Sequence, residues 1–128
     1  MPETPDSTGT ALQVALAYHQ AWTGGDFDAA MGFVDPDIVC LAPAGRLDGA
    51  DAFRAFMGPF SRLVLASGLI AAFGDDRTAV LMYDTRTVPV ADAPGAECHT
   101  VQDGRIVHLR IVFDRAPFDA ARRAAAGG

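Results

Sequence analysis

The chain predicts an α+β fold: a cone-like, curved antiparallel sheet covered on its concave face by N-terminal helices, enclosing a pocket for a small molecule. Three observations carry this expectation. Apolar residues recur with helical spacing in the N-terminal part and with strand spacing toward the C-terminus. Helical segments come first and strands later, the order of folds that lay helices on one face of an antiparallel sheet. Between the last two strands, Asp103-Gly104 is a strong signal for a two-residue type I′ hairpin. The 128 residues suit one domain with a single core, expected over residues 10–125 behind a disordered tail at 1–9.

The elements follow in order. Val14, Tyr18 and Trp22 recur at i, i+4, i+8 and predict a helix over 10–23, with Leu12, Ala15 and Leu16 widening its stripe. Asp26 is placed to cap a second short helix that turns Phe27, Ala30, Met31 and Val34 inward. A strand, "DIVCLAP", and a turn, "AGRLDG", come next. Ala52, Phe53, Phe56, Met57 and Phe60 form the apolar face of a third helix, which Gly58-Pro59 should kink. Strands are expected at 69–73, 79–90, 96–102 and 105–114, then a short terminal helix in "RAPFDAARRAAAGG".

Composition narrows the function classes. Net charge is −6 with no lysine, and Arg122-Arg123 is the only adjacent basic pair, which argues against a nucleic-acid partner. No apolar run approaches the roughly 18 residues of a membrane span. The acidic, Pro/Thr-rich "MPETPDSTGT" resembles neither a signal nor a transit peptide, so a cytoplasmic location is expected. Cys40 and Cys98 are too few for a disulfide scaffold and are read as free thiols.

The stretch "AECHTVQDGRIVHLRIVFD" holds Glu97, Cys98, His99 and His108. A two-residue turn pairs Gln102 with Arg105. By regular counting it then sets Cys98 opposite Leu109, Thr100 opposite Val107, Glu97 opposite Arg110 and His99 opposite His108. Val107, Leu109, Ile111 and Phe113 are uniformly apolar and are expected to face the helices, taking Cys98 and Thr100 with them. Glu97, His99, His108 and Arg110 are then expected outside. A metal would require Glu97, His99 and His108 to converge there, and none is assigned. In the strand before, Val80, Met82, Asp84, Arg86 and Val88 share one face and Ala79, Leu81, Tyr83, Thr85 and Thr87 the other, and periodicity does not decide between them.

The element order together with "YHQAWTGGDFDAAMGFVDPDIVCLAPAG", "LDGADAFRAFM" and "DGRIVHLRIVFDRAPF" resembles the nuclear transport factor 2-like superfamily, in its SnoaL-like and limonene epoxide hydrolase-like branch. Tyr18 matches the helix tyrosine that is an oxyanion-hole donor in ketosteroid isomerases, whose general-base aspartate falls on Ala42 and whose second donor falls near Ala96. The proton-donating aspartate of limonene epoxide hydrolases falls on Asp84, which implies that the even-numbered face is inner. The remaining members of that triad fall on Met82 and Ile111, and the SnoaL-type aspartate also falls on Ile111.

The resemblance implies acid–base chemistry without a cofactor on an apolar, polyketide- or terpenoid-like metabolite. Asp84 would be the acid/base and Tyr18 the carbonyl-polarising donor. Trp22, Cys40, Met82, Arg86, Cys98, Thr100, Leu109, Ile111 and Phe113 would line the substrate pocket. Rival expectations are a ligand-binding module without turnover, epoxide opening with Asp84 as acid, and Asp84 with Arg86 as a structural pair. Related folds also imply a homodimer through the outer sheet face, expected to carry His99, His108, Arg110, Val112 and Ile106.

Overall fold

Helix α1 (Thr10–Thr23) forms where the apolar spacing predicts it and buries Leu12, Ala15, Tyr18, His19 and Trp22. The structure is a computed structural model that describes residues 9–127, so the tail expected at 1–9 lies, except for Gly9, outside the described residues. Asp26 caps α2 (Phe27–Met31), its carboxylate accepting a hydrogen bond from the Ala29 amide at 3.0 Å. Helix α3 (Ala50–Leu63) buries Phe53 and Met57 and runs through Gly58-Pro59 as one helix, without ending at the expected kink.

Six strands form one sheet: β1 (Val34–Ala42), β2 (Gly45–Asp48), β3 (Val64–Gly74), β4 (Thr78–Thr87), β5 (Gly95–Gln102) and β6 (Arg105–Phe113). Their order is β2-β1-β6-β5-β4-β3. The sheet is curved and unclosed. It is mixed rather than wholly antiparallel, because β1 runs parallel to β6 while every other pairing is antiparallel. The expected turn "AGRLDG" contains β2, which folds back on β1 as an edge hairpin. Helix α1 crosses the concave face against β3 to β6, and the core lies between them. A last helix, α4 (Ala116–Gly127), follows β6 and has no fully buried residue.

One register shift reorganises the faces. Asp103 and Gly104 both have positive φ, 52° and 76°, as a type I′ turn requires, and Gln102 pairs with Arg105 as expected. A bulge between Thr100 and Val101 then inserts one extra residue on β6, so Thr100 lies opposite His108 instead of Val107. Beyond it Cys98 pairs with Arg110, His99 with Leu109 and Glu97 with Ile111. The side-chain period is two, so this single residue moves Glu97 and His99 to the helix-covered face and Cys98 and Thr100 to the outer one. The apolar set Leu109, Ile111 and Phe113 faces inward as expected.

The same alternation runs into β4, where Leu81 pairs with Glu97 and Ala79 with His99. Ala79, Leu81, Tyr83, Thr85 and Thr87 are buried, while Val80, Met82, Asp84, Arg86 and Val88 are exposed. The odd-numbered face is therefore the inner one, against the expectation for Asp84.

Candidate active site

Burial of a carboxylate in an apolar core is costly unless it is paired and hydrogen-bonded. Glu97 is 1% exposed, and both of its oxygens are engaged. The Tyr83 hydroxyl donates to Oε2 at 2.5 Å, and His99 Nε2 lies 3.0 Å from Oε1. Three strand positions bring these groups together. Glu97 and His99 are two apart on β5 and share a face, and Tyr83 reaches across from β4. Tyr83 lies opposite Gly95, where a Cβ would stand only 3.2 Å from the phenol oxygen. Glycine there lets the ring lie over the β5 backbone.

The charge state follows from the surroundings. Burial pushes the Glu97 carboxyl upward, but the hydrogen bond and charge of His99, the Tyr83 phenol and nearby His19 outweigh it, and its pKa is lowered. Glu97 is thus an acceptor at neutral pH, so His99 Nε2–H must donate to it. That fixes Nδ1 as the ring nitrogen left for other partners. Burial, and then the Glu97 charge, raise the pKa of both Tyr18 and Tyr83 well above that of an ordinary phenol, so each keeps its proton. Burial lowers His19 despite the opposing influence of Glu97, favouring the neutral ring. Cys40 is pushed up to about 12 by burial and by Glu97, which removes it as a thiolate nucleophile.

Around this pair, α1 contributes a layer of rings. Tyr18 lies edge-on to His99 at 5.6 Å, and His19 contacts Tyr83 at 4.8 Å and Trp22 at 5.3 Å. Buried polar groups are ordinarily hydrogen-bonded. Here Tyr18 Oη, His19 Nδ1, Trp22 Nε1 and His99 Nδ1 are buried with no partner among the described residues. Three of these atoms are on α1 and the fourth is on the β5 ring that Tyr18 contacts. On a neutral His99 ring Nδ1 can serve as a proton acceptor, and the Tyr18 hydroxyl as a hydrogen-bond donor.

A narrow apolar pocket of about 20 Å³, a water-sized space, reaches this group at Tyr83 and is otherwise lined by Phe56, Met57, Phe60, Ile111, Phe113 and Phe118 among others. Of the residues predicted from sequence, Tyr18, Trp22, Cys40, Leu109, Ile111 and Phe113 face the interior. Asp84, Met82 and Arg86 lie on the opposite face; Asp84 and Arg86 border a shallow outer depression with Ser67 and Asp92. Cys98 and Thr100 are half-buried on that same outer side, and His99 and Ile106, expected there, are fully buried. The pleat also separates His108 from Glu97 and His99, so the three conceivable metal ligands do not converge. The bulge inverts the expected faces of Glu97 and His99, and Tyr83 was expected outside because the resemblance placed Asp84 on the inner face of β4. The absence of any charge from the odd-numbered set of β4 was the available signal.

Residues 15–109 match the SnoaL-like domain family. A crystal structure of a protein from Kribbella flavida is 64% identical, with a TM-score of 0.91 over 94% of this chain and 100% of that one. Two more distant structures share the fold. A steroid delta-isomerase from Pseudomonas aeruginosa is 18% identical, with a TM-score of 0.72 over 93% of this chain and 94% of that one. A candidate polyketide cyclase from Sinorhizobium meliloti is 20% identical, with a TM-score of 0.68 over 78% and 94%. No curated protein matches. The family match over most of the chain, on a curved sheet covered by α1, means that this protein belongs to the SnoaL-like family.

Proposed function

We propose that the protein is an acid–base enzyme of isomerase, cyclase or dehydratase type, acting on a small apolar metabolite held against the concave face of the sheet. The observation that carries this reading is the buried Tyr83–Glu97–His99 chain, whose His99 Nδ1, like Tyr18 Oη, has no partner among the described residues. Glu97 orients and polarises the His99 ring, and Nδ1 takes a proton from carbon or oxygen. The Tyr18 phenol donates a hydrogen bond to the oxyanion that develops. No step requires a group beyond these side chains. The test is wash-in of solvent deuterium next to the carbonyl of a panel of cyclic ketones, read by mass spectrometry. Exchange by the wild type that falls about 10²-fold or more in His99→Asn, the usual worth of acid–base catalysis, is the expected result. Saturable binding without any exchange would establish the rival, a ligand-binding module, which the full burial of the pair favours.

The same reading includes a homodimer through the outer sheet face. Two cross-strand rows run there, Phe73–Val80–Cys98–Arg110 and Ala71–Met82–Ala96–Val112. Phe73 is 74% exposed and Val112 57%, a contiguous apolar surface of the kind that marks association. Light scattering is expected to give twice the chain mass, and Met82→Glu to give the monomer; a wild-type monomer at micromolar concentration would refute it.

A further inference from the structure

Beneath α4 an open groove of about 430 Å³ adjoins the inner pocket, and Phe56, Phe60, Phe113 and Phe118 line both. The Phe118 ring borders both, its centroid 6.1 Å from that of Phe60 and 5.7 Å from that of Phe113. It is the aromatic anchor of a helix with no fully buried residue. An apolar ligand body that took the place of this ring would join groove and pocket and extend to Tyr83.

The two ends of that path differ in charge. Behind Tyr83 at the deep end lies the Glu97 carboxylate, which disfavours a permanently anionic group there. At the outer end, Arg115 and Arg122 line the groove, and no acidic residue does. Asp119 sits behind them, 2.5 Å from Arg122 and 3.8 Å from Arg115. One carboxylate between two guanidiniums leaves one positive charge in excess. Each planar guanidinium retains further N–H groups in the fork geometry that matches a second carboxylate. These two cations stand beside apolar rings in a chain of net charge −6.

We propose that the groove under α4 receives an amphipathic acid, its apolar body displacing the Phe118 ring and its anionic head held by Arg115 and Arg122. This rests on the reading of the interior as a small-molecule site, but not on turnover there. It assigns a substrate class and an orientation: the reacting end lies at Tyr83 and His99, and the acid end stays at the rim.

The test titrates the full chain with decanoate and with 1-decanol, following the emission of Trp22, the single tryptophan, whose ring lies 6.1 Å from Phe60 and 5.7 Å from Tyr83. Decanoate is expected to bind about tenfold more tightly, the scale of one charge-assisted contact at a partly exposed site. In the double variant Arg115→Gln/Arg122→Gln, decanoate affinity should fall to that of decanol while decanol is unaffected. Circular dichroism will check that the fold survives these two surface changes. Equal affinities in the wild type, a preference that survives the double variant, or no binding of either probe by calorimetry would each overturn the proposal. Failed deuterium wash-in with the decanoate preference intact would remove the catalytic reading alone.

Discussion

Two pairs of polar residues sit on opposite sides of the same sheet, and they teach opposite lessons. Asp84 and Arg86 are exposed on the outer face of β4. Glu97 and His99 are sealed beneath α1, with Tyr83 completing the chain. Water solvates the first pair whatever its partners do, so its contribution to stability is small. The second pair has no such recourse. Each group is tolerable only because the others are present, and a buried ionic arrangement of this kind is weak evidence for stability but good grounds for suspecting a site. The comparison can be broken from either side.

The largest effect is expected at Glu97. Glu97→Ala removes the acceptor of both Tyr83 and His99 and leaves their polar atoms buried and unpaired, which should cost about 3–5 kcal/mol, the usual penalty for breaking a buried pair. Urea unfolding followed by Trp22 emission measures it. A loss below about 1 kcal/mol, the range of exposed ion pairs, would mean that the interior is wet and that the two pairs do not differ. Glu97→Gln keeps the volume, and any wash-in activity should drop with it by a factor similar to that of His99→Asn.

The second effect is a pH dependence. The pKa values of Glu97 and His19 are both lowered in the folded protein, from ordinary values of 4.5 and 6.5. On acidification the unfolded chain binds these protons before the native state does, so stability rises with pH through both windows. It should be complete above about pH 6.5, decline as His19 of the unfolded chain protonates, and fall more steeply below about pH 4.5 as Glu97 follows. Unfolding free energies across this range check the two arms. His19→Gln should flatten the upper arm and leave the lower; an unchanged upper arm in that variant would remove His19 from the account.

Much of the architecture was legible. The cap at Asp26, the helical stripes, the Asp103-Gly104 turn and the inward set Leu109, Ile111 and Phe113 all follow from local rules, and each is found. The site was not legible, for two reasons. A hairpin turn fixes register only as far as the first irregularity, and the bulge next to Val101 lies two residues from the turn. Every face beyond it inverts. The regular register, without the bulge, put His99 outside, whereas the face of β4, which periodicity leaves open, was set by the family resemblance that places Asp84 inside. Charge alone would have oriented β4: Asp84 and Arg86 share a face, and the set holding Leu81 and Tyr83 has no ionisable group except a phenol.

A third, more modest effect concerns access. Phe118→Ala removes a ring that borders both groove and pocket without disturbing the core, because α4 has no fully buried residue. Acrylamide quenching of Trp22, 1% exposed in the intact protein, should rise a few-fold while the unfolding midpoint scarcely moves. Unchanged quenching would show that Phe118 does not separate solvent from the ring layer.

The smallest expected effect is at Asp84. Asp84→Asn alters a solvated carboxylate that makes no ion pair among the described residues. Stability should stay within about 0.5 kcal/mol, as for surface substitutions generally, and deuterium wash-in should be unchanged within error. This null outcome discriminates most sharply between the two faces. If Asp84 were the acid/base, as the family resemblance implied, the same substitution would cost about 10²-fold in rate. Such a loss could arise only if the outer face of β4 were itself part of a site, and it would move the chemistry from Glu97 and His99 to the outer side of the sheet.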